Sequence, residues 1–410
     1  MALRFPRLPS AATSAGALAN CLLGLAAGLW IAEALLRALA LPQFEPAPSP
    51  PCVKDPPVIL CLGDSFTYGV GAAPGQSYPD RLQSLLDRSG KRFTVLRRGF
   101  PGENSYGLRL KLAEALDQDC PSQVVLLAGV NNTDLFRPNS YLRANGGFRD
   151  RFQADEFFAG SRVYALLRAA FPVPPPPRRA SWEPKVPAPP ATLARIQAAR
   201  ALQQAGRLAV AEAGLRRALR ESPGDPEALY AMGLFHIQAH GRAADAVRWL
   251  SDARGRSPED LRIRLDLARA LHRAGKPAES LNELRFIVGK DPGAAHLAVL
   301  LRRGLPERPD ETGLGRMTAY DLERMAAAAR RRKIPVILMT YGDDPETWYN
   351  RAIADAARRS GAPLVRNTDL TDTPEGRAKY ASADGHLNSS GYSRVAENLF
   401  RILETDIMTP

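Results

Sequence analysis

The stretch Val58-Ile59-Leu60-Cys61-Leu62-Gly63-Asp64-Ser65-Phe66-Thr67 decides the fold. Its first five residues are apolar without interruption, preceded by Pro56-Pro57 and followed by Gly63. So short and continuous a run predicts a strand covered on both faces, as in a parallel sheet between helices. The polar turn after it marks the strand's carboxyl end, where open α/β sheets bind ligands. A serine there can expose its Oγ; taken alone, it reads equally as a helix-capping turn.

Further out, Phe93 to Arg97 and Gln123 to Ala128 are two more short apolar runs, separated by helix-like segments at Tyr78 to Ser89 and Tyr106 to Asp117. Alternation resumes late in the chain. A helix from about Thr318 to Lys333 leads into a strand at Ile334 to Thr340. A helix near Glu346 to Ser360 leads into Pro363-Leu364-Val365, and a last helix follows Ser389. This is βαβ grammar, which implies an α/β domain with a parallel sheet.

Between the two halves the composition changes to Ala/Leu/Arg-rich helix with an internal period. Gly206, Gly241 and Gly275 recur at 35 and 34 residues, and Pro223, Pro258 and Pro292 recur at the same spacings. Ala211, Ala246 and Ser280 keep register, as do Leu215, Leu250 and Leu284. The pattern resembles the tetratricopeptide repeat, in which paired helices of about 34 residues stack and bury a shared core. It fits best in the second copy, with Gly233, Ala246, Ala253 and Pro258. The α/β domain is therefore predicted to be split between its third and fourth strands. The expected division is an N-terminal membrane anchor (1–41), a proline-rich spacer (42–56), the first part of the α/β domain (57–171), a proline-rich linker (172–191), helical repeats (192–303) and the second part of the α/β domain (315–410).

The chain has 410 residues, 45% hydrophobic and 24% charged, with a net charge of +12. The positive excess is scattered arginine with no interleaved aromatic stripe, so no nucleic-acid partner is expected. The densest run, Arg330-Arg331-Arg332-Lys333, ends a predicted helix, where it complements the helix dipole. From Ala15 to Ala32 the chain is nearly all apolar, with Arg4 and Arg7 before it. That predicts a single membrane-spanning helix with the catalytic part outside the cytoplasm. The competing reading is a signal peptide cleaved after Ala38-Leu39-Ala40. Cys21, Cys52, Cys61 and Cys120 sit at no metal-ligand spacing and form no disulfide framework.

A nucleophilic serine needs a base. Four of the five histidines, His236, His240, His272 and His296, fall in or beside the repeats. His386 is the histidine of the α/β parts, within Asp384-Gly385-His386-Leu387-Asn388, after the last strand and before the last helix. Ser65 is the candidate nucleophile, His386 its base, and Asp384 the group that orients the imidazole. The oxyanion of acyl transfer needs donors aimed at developing charge. Backbone N–H groups of Ser65 and Gly102, and the side-chain amide of Asn131, are the candidates, the last two following the second and third strands.

These four blocks in order, Gly63-Asp64-Ser65, Gly102, Asn131 and Asp384 with His386, resemble the SGNH (GDSL) hydrolase family. The resemblance implies a three-layer α/β/α flavodoxin-like fold with strand order 2-1-3-4-5 and esterase or acyltransferase chemistry. Three departures stand out. Asn132 replaces the Asp that usually closes the third block, Arg97 replaces the Asn usually found before the second, and Asp384 stands two residues before His386 instead of three. A two-residue spacing also occurs in members resembling exopolysaccharide acetyltransferases. The expected function is a serine esterase cleaving acyl esters, acetyl esters first among them, through an acyl-enzyme on Ser65, with no metal or organic cofactor. The rivals are an O-acyltransferase on an exported glycan and a membrane-anchored repeat scaffold with a vestigial hydrolase domain. The partners expected are an acyl-ester substrate such as an acetylated glycan, a protein held by the repeats, and the membrane.

Overall fold

The computed structural model describes residues 11–39, 54–138, 163, 182–204, 207–306, 310–382 and 385–406. The chain divides into two units, Met1–Pro51 with Gly147–Pro176, and Cys52–Gly146 with Pro177–Pro410.

In the first unit, Ala11–Leu39 is a helix of 29 residues. Leu23, Leu25, Leu29, Trp30, Ile31 and Leu35 are exposed on it. Glu33 accepts the backbone N–H of Val163 at 3.0 Å. Among the described residues no helix is long and apolar enough to cross a membrane. The apolar stretch Ala15–Ala32 is rich in Ala and Gly, is interrupted by Asn20 and is closed by Glu33, which leaves it short of the roughly 20 strongly apolar residues a span requires. The transmembrane reading of Ala15–Ala32 is thus unsupported, although the helix itself is present. Arg4 and Arg7, most of the proline-rich spacer and the first part of the linker lie outside the described residues.

In the second unit, β1 (Val58–Gly63), β2 (Thr94–Gly99), β3 (Gln123–Leu127), β4 (Val336–Met339) and β5 (Leu364–Val365) form one sheet in the order β2-β1-β3-β4-β5. Every pairing is parallel, and the order is the one the resemblance implied. Strands β1, β3 and β4 are buried along their whole length, whereas edge strand β2 is half-exposed. That difference follows from their apolar continuity and from the Arg97-Arg98 pair in β2.

Local chemistry sets the helix starts. Ser77 and Asp80 form a reciprocal capping box before Tyr78–Arg88, with Pro79 in the first turn. Asn104 caps Ser105–Gln118 by accepting from Gly107 N–H at 2.9 Å. The helix expected from Thr318 begins earlier, at Glu311, because Asp310 caps it by accepting from Gly313 N–H. A short helix not anticipated in the sequence, Pro374–Tyr380, starts at the Thr373 cap.

The repeats are helix pairs: Pro190–Gln204 with Leu208–Glu221, Pro226–His240 with Ala243–Arg256, and Leu261–Arg273 with Pro277–Lys290, followed by Ala295–Arg303. The in-register positions Ala211, Ala246, Ser280, Leu215, Leu250 and Leu284 are all buried. A Cβ on Gly233 would lie 2.6 Å from Leu250 Cγ, so this glycine lets the second pair close up. Gly206 lies outside the described residues.

The repeats meet the α/β domain at the carboxyl end of the sheet. Leu135 and Phe136, on the chain leaving β3, are buried with Leu261, Ala268, Leu284 and Ile287 of the third pair and with Leu297 and Leu300 of the following helix. Trp182, at the end of the linker, packs against the same cluster and donates Nε1–H to Asp291 at 2.7 Å.

One cysteine reading is corrected. Cys21 and Cys61 are free thiols, but Cys120 is disulfide-bonded. Spacing in the sequence cannot reveal such a bond, because it depends on which thiols the fold brings together. Cys52 lies outside the described residues.

Candidate active site

Strand β1 ends at Gly63, and the chain turns directly into a one-turn helix, Ser65–Tyr68. The turn is possible because residue 63 has no side chain: a Cβ there would lie 2.2 Å from Thr67 Oγ1 and 2.6 Å from the Leu127 carbonyl. Gly99 serves the same turn from β2, since its Cβ would fall 2.2 Å from Tyr68 N. Ser65 is buried to 8% exposure.

Its Oγ stands 2.8 Å from Nε2 of His386, across 321 residues of sequence. With Nε2 facing a hydroxyl, the imidazole tautomer suited to base catalysis carries its proton on Nδ1. The histidine is held from several sides. Its backbone carbonyl accepts the N–H of Ser382 at 2.8 Å and the Ser382 hydroxyl at 3.1 Å. Ala381 and Leu387 form an antiparallel bridge across the loop. Asn388 accepts from the N–H groups of Ser390 and Gly391 and so starts the last helix. The ring of Phe66 lies 4.9 Å from the imidazole. Asp384 lies outside the described residues.

Asp64, immediately before the serine, is fully buried. Its Oδ1 accepts from Phe66 N–H at 3.0 Å, and its Oδ2 accepts the Tyr341 hydroxyl at 2.5 Å. Burial pushes its carboxyl from the ordinary 3.8 up to about 6, opposed by the Tyr341 and Phe66 hydrogen bonds and by the charge of His386. Burial, and then the negative charge of Asp64, push the Tyr341 hydroxyl well above its usual range.

Asn131 sits in the 3-10 turn Val130–Thr133 that follows β3. Its Nδ2 donates to the Glu103 carbonyl at 3.1 Å and toward Asp64 Oδ2 at 3.4 Å. That ties the turn after β3 both to the loop carrying Gly102 and to the residue before Ser65. Gly102 has φ +73°, a left-handed conformation that favours glycine. The structure thus brings Ser65, His386 and Asn131 to one edge of the sheet, with Gly102 in the loop that Asn131 touches.

The departures from the family pattern find local partners. Asn132 is buried and accepts Ser105 N–H at 2.9 Å, while its Nδ2 donates to Ser105 Oγ at 2.8 Å and Thr318 Oγ1 at 2.5 Å. Arg97 binds Asp80 at 3.1 Å and Ser77 Oγ at 3.2 Å. Tyr341 and Phe66 are the members of the site that the sequence reading missed. Tyr341 stands just past β4, which is a detectable signal, because that is the sheet edge where sites form.

A serine on a strand–helix turn at the carboxyl edge of a parallel sheet, hydrogen-bonded to a histidine from the last loop, defines an α/β serine hydrolase. A model of the GDSL-like lipase/acylhydrolase family matches residues 61–244, and a tetratricopeptide-repeat model matches residues 238–303. The chain carries a GDSL-like lipase/acylhydrolase domain interrupted by tetratricopeptide repeats, and it is an ester-hydrolysing enzyme. No curated protein sequence matches the chain. Among solved structures, an acetyl xylan esterase, AlAXEase, is 12% identical over 84% of this chain and 99% of its own, with a TM-score of 0.36. AlinE4, an SGNH-hydrolase family esterase, is 14% identical over 78% of this chain and 81% of its own, with a TM-score of 0.29. A MamA RS-1 ArsTM double mutant is 15% identical over 53% of this chain and 99% of its own, with a TM-score of 0.25.

Proposed function

We propose that the enzyme cleaves acyl esters by double displacement on Ser65. The observation that carries this reading is the 2.8 Å contact between His386 Nε2 and Ser65 Oγ. His386 takes the proton as Oγ attacks the ester carbonyl carbon. The resulting oxyanion is held by the N–H groups of Ser65 and Gly102 and by the Asn131 amide, which must turn from its ground-state acceptors to reach it. The intermediate collapses, His386 returns the proton to the departing alkoxide, and the acyl group remains on Oγ. Water then attacks the acyl-enzyme with the same base. Asp384 is assigned the orienting role on the imidazole.

The acyl group we favour is acetyl, because the spacing of Asp384 and His386 resembles that of exopolysaccharide acetyltransferases. The same spacing favours a second reading, in which a glycan hydroxyl replaces water as acceptor. Labelling of the full chain with a fluorophosphonate, followed by a chain-length series of p-nitrophenyl esters, tests the assignment. Ser65→Ala is expected to abolish both labelling and turnover with an unchanged melting temperature. Retention of more than a few per cent of either would overturn it. Acetyl transfer to an added glycan in competition with hydrolysis would select the second reading.

The enzyme is further assigned to a membrane surface outside the cytoplasm. The exposed apolar side chains of Ala11–Leu39 favour attachment. The disulfide at Cys120 favours an oxidising compartment. Recovery of the full-length chain in a soluble cytoplasmic fraction would refute this assignment. A protein partner bound through the repeats fits the usual use of such stacks, and affinity capture with the repeat region intact and deleted would test it.

A further inference from the structure

Asp134 joins the third repeat to the turn that carries Asn131. Its backbone N–H donates to the Asn131 carbonyl at 3.1 Å, so Asp134 closes the turn that carries Asn131. Its Oδ1 accepts from Phe136 N–H at 3.0 Å. Its Oδ2 lies 3.4 Å from Nη2 of Arg269, on the first helix of the third pair, and 3.5 Å from Nε of Arg137.

Arg269 is itself fixed from the repeat side. It pairs with Asp266 at 2.5 Å, and Asp266 accepts the Tyr230 hydroxyl of the second pair at 2.6 Å. Its guanidinium also lies 6.0 Å from the Phe136 ring centroid. Only 17% of the Arg269 side chain is exposed, so its pairing is less screened than a surface ion pair. On the other side of Phe136, His296 Nε2 lies 3.2 Å from the Phe136 carbonyl. The chain just beyond the Asn131 turn is therefore clamped by two helices of the repeat region, Leu261–Arg273 and Ala295–Arg303.

We propose that Arg269, acting through Asp134, is a positioning residue that holds Asn131 where the oxyanion forms, which makes the third repeat part of the catalytic apparatus. This rests on the reading of Asn131 as an oxyanion donor. The physical case is that a donor's value in the transition state depends on its being pre-placed, and misplacement by about 1 Å from a distant change can slow turnover about 100-fold. The turn after β3 is also held by Val130 N–H on the Tyr341 hydroxyl at 3.4 Å, and the chain beyond it by the Asn104 amide on the Pro138 carbonyl at 2.8 Å and by Arg137 between Asp134 and Glu103. Losing the Arg269 pair therefore loosens its outer end without releasing it.

The test is a kinetic comparison of the full chain with Arg269→Met, Arg269→Lys and Asp134→Asn, using p-nitrophenyl acetate. For Arg269→Met we expect kcat to fall about tenfold with KM within twofold, the melting temperature kept within a few degrees, and most of the kcat restored in Arg269→Lys. Combining Arg269→Met with Asp134→Asn is expected to cost little more than either alone, because both remove one interaction. Unchanged kcat in Arg269→Met would overturn the inference. So would a rise in KM alone, which would place Arg269 on the substrate, or a joint loss of kcat and melting temperature that lysine does not rescue. Asn131→Ala, run alongside, separates the two levels. If it leaves kcat unchanged, the reading of the oxyanion site fails; if it slows kcat while Arg269→Met does not, only the positioning role fails.

Discussion

The hydroxyl of Tyr341 donates to the carboxylate of Asp64 at 2.5 Å in a region closed to solvent, directly behind the serine turn. The same Asp64 oxygen faces Asn131 Nδ2 at 3.4 Å, and Phe66 packs edge-on against the Tyr341 ring at 5.0 Å. One phenol thus supports both the residue before Ser65 and the aromatic ring beside His386. In Tyr341→Phe the carboxylate loses a stabilising donor, so its pKa should rise above the value of about 6. We expect the acid limb of the kcat/KM profile to move to higher pH, with kcat on the alkaline plateau reduced several-fold. A pH–rate profile with an unmoved acid limb would show that the ionisation of Asp64 does not govern turnover.

The same carboxyl makes stability depend on pH. Asp64 is fully buried, and its pKa is raised from 3.8 to about 6. Between those values the native state holds a proton that the unfolded chain has released, so stability declines as pH rises through that window. A shift of that size corresponds to on the order of 3 kcal/mol. Urea unfolding of Asp64→Asn across the same range should show a flatter dependence than the natural chain. An equally steep decline in the variant would place the responsible group elsewhere.

Much of this architecture was open to sequence reasoning because its signals are local. The continuous apolar runs at Val58–Leu62 and Gln123–Leu127 announce buried strands, and the period shared by the glycines and prolines announces stacked helix pairs. The pairing of Ser65 with His386 could be anticipated because each follows a strand and the other histidines lie with the repeats. What stayed hidden depends on tertiary contact. Tyr341 has meaning only once β4 lies beside β3 and Asp64 is buried under it. The Cys120 disulfide is a matter of which thiols meet. The early start of the helix at Glu311 turns on the Asp310 cap, which the apolar periodicity does not display.

Asn131 separates binding from chemistry. Its side chain is held by the Glu103 carbonyl and Asp64 in the ground state, and in the mechanism proposed above it contributes most when an oxyanion is present. Asn131→Ala should therefore lower kcat by about 100- to 1000-fold, in the range seen when one oxyanion donor is removed, while KM changes little. Steady-state kinetics on an activated acetyl ester provide the measurement. A change confined to KM would reassign Asn131 to substrate binding.

Asn132 offers the sharpest contrast between family pattern and local chemistry, because restoring the usual Asp should do harm here. Its Nδ2 donates to Ser105 Oγ and Thr318 Oγ1. Neither hydroxyl is free to donate back: Ser105 Oγ donates to Asp321 Oδ2 at 2.6 Å, and Thr318 Oγ1 donates to the Leu314 carbonyl at 2.8 Å. A carboxylate at 132 would keep the Ser105 N–H bond but would turn one acceptor oxygen, in place of Nδ2, toward two hydroxyl oxygens whose protons are already donated elsewhere. It would also bury a second negative charge near Asp321, which is itself almost completely buried. A lost donor at a buried site costs about 1–3 kcal/mol, and the unpaired charge adds to that. Asn132→Asp should therefore unfold at a lower temperature than the natural chain, by the equivalent of about 3 kcal/mol near pH 8. Burial and Asp321 should both raise the pKa of the new carboxyl, so that lowering the pH protonates it and restores one donor. The deficit should then shrink between pH 8 and pH 5. Calorimetry of both proteins at the two pH values decides the matter, and a deficit that is absent, or constant with pH, would show that the hydroxyls can reverse their donors.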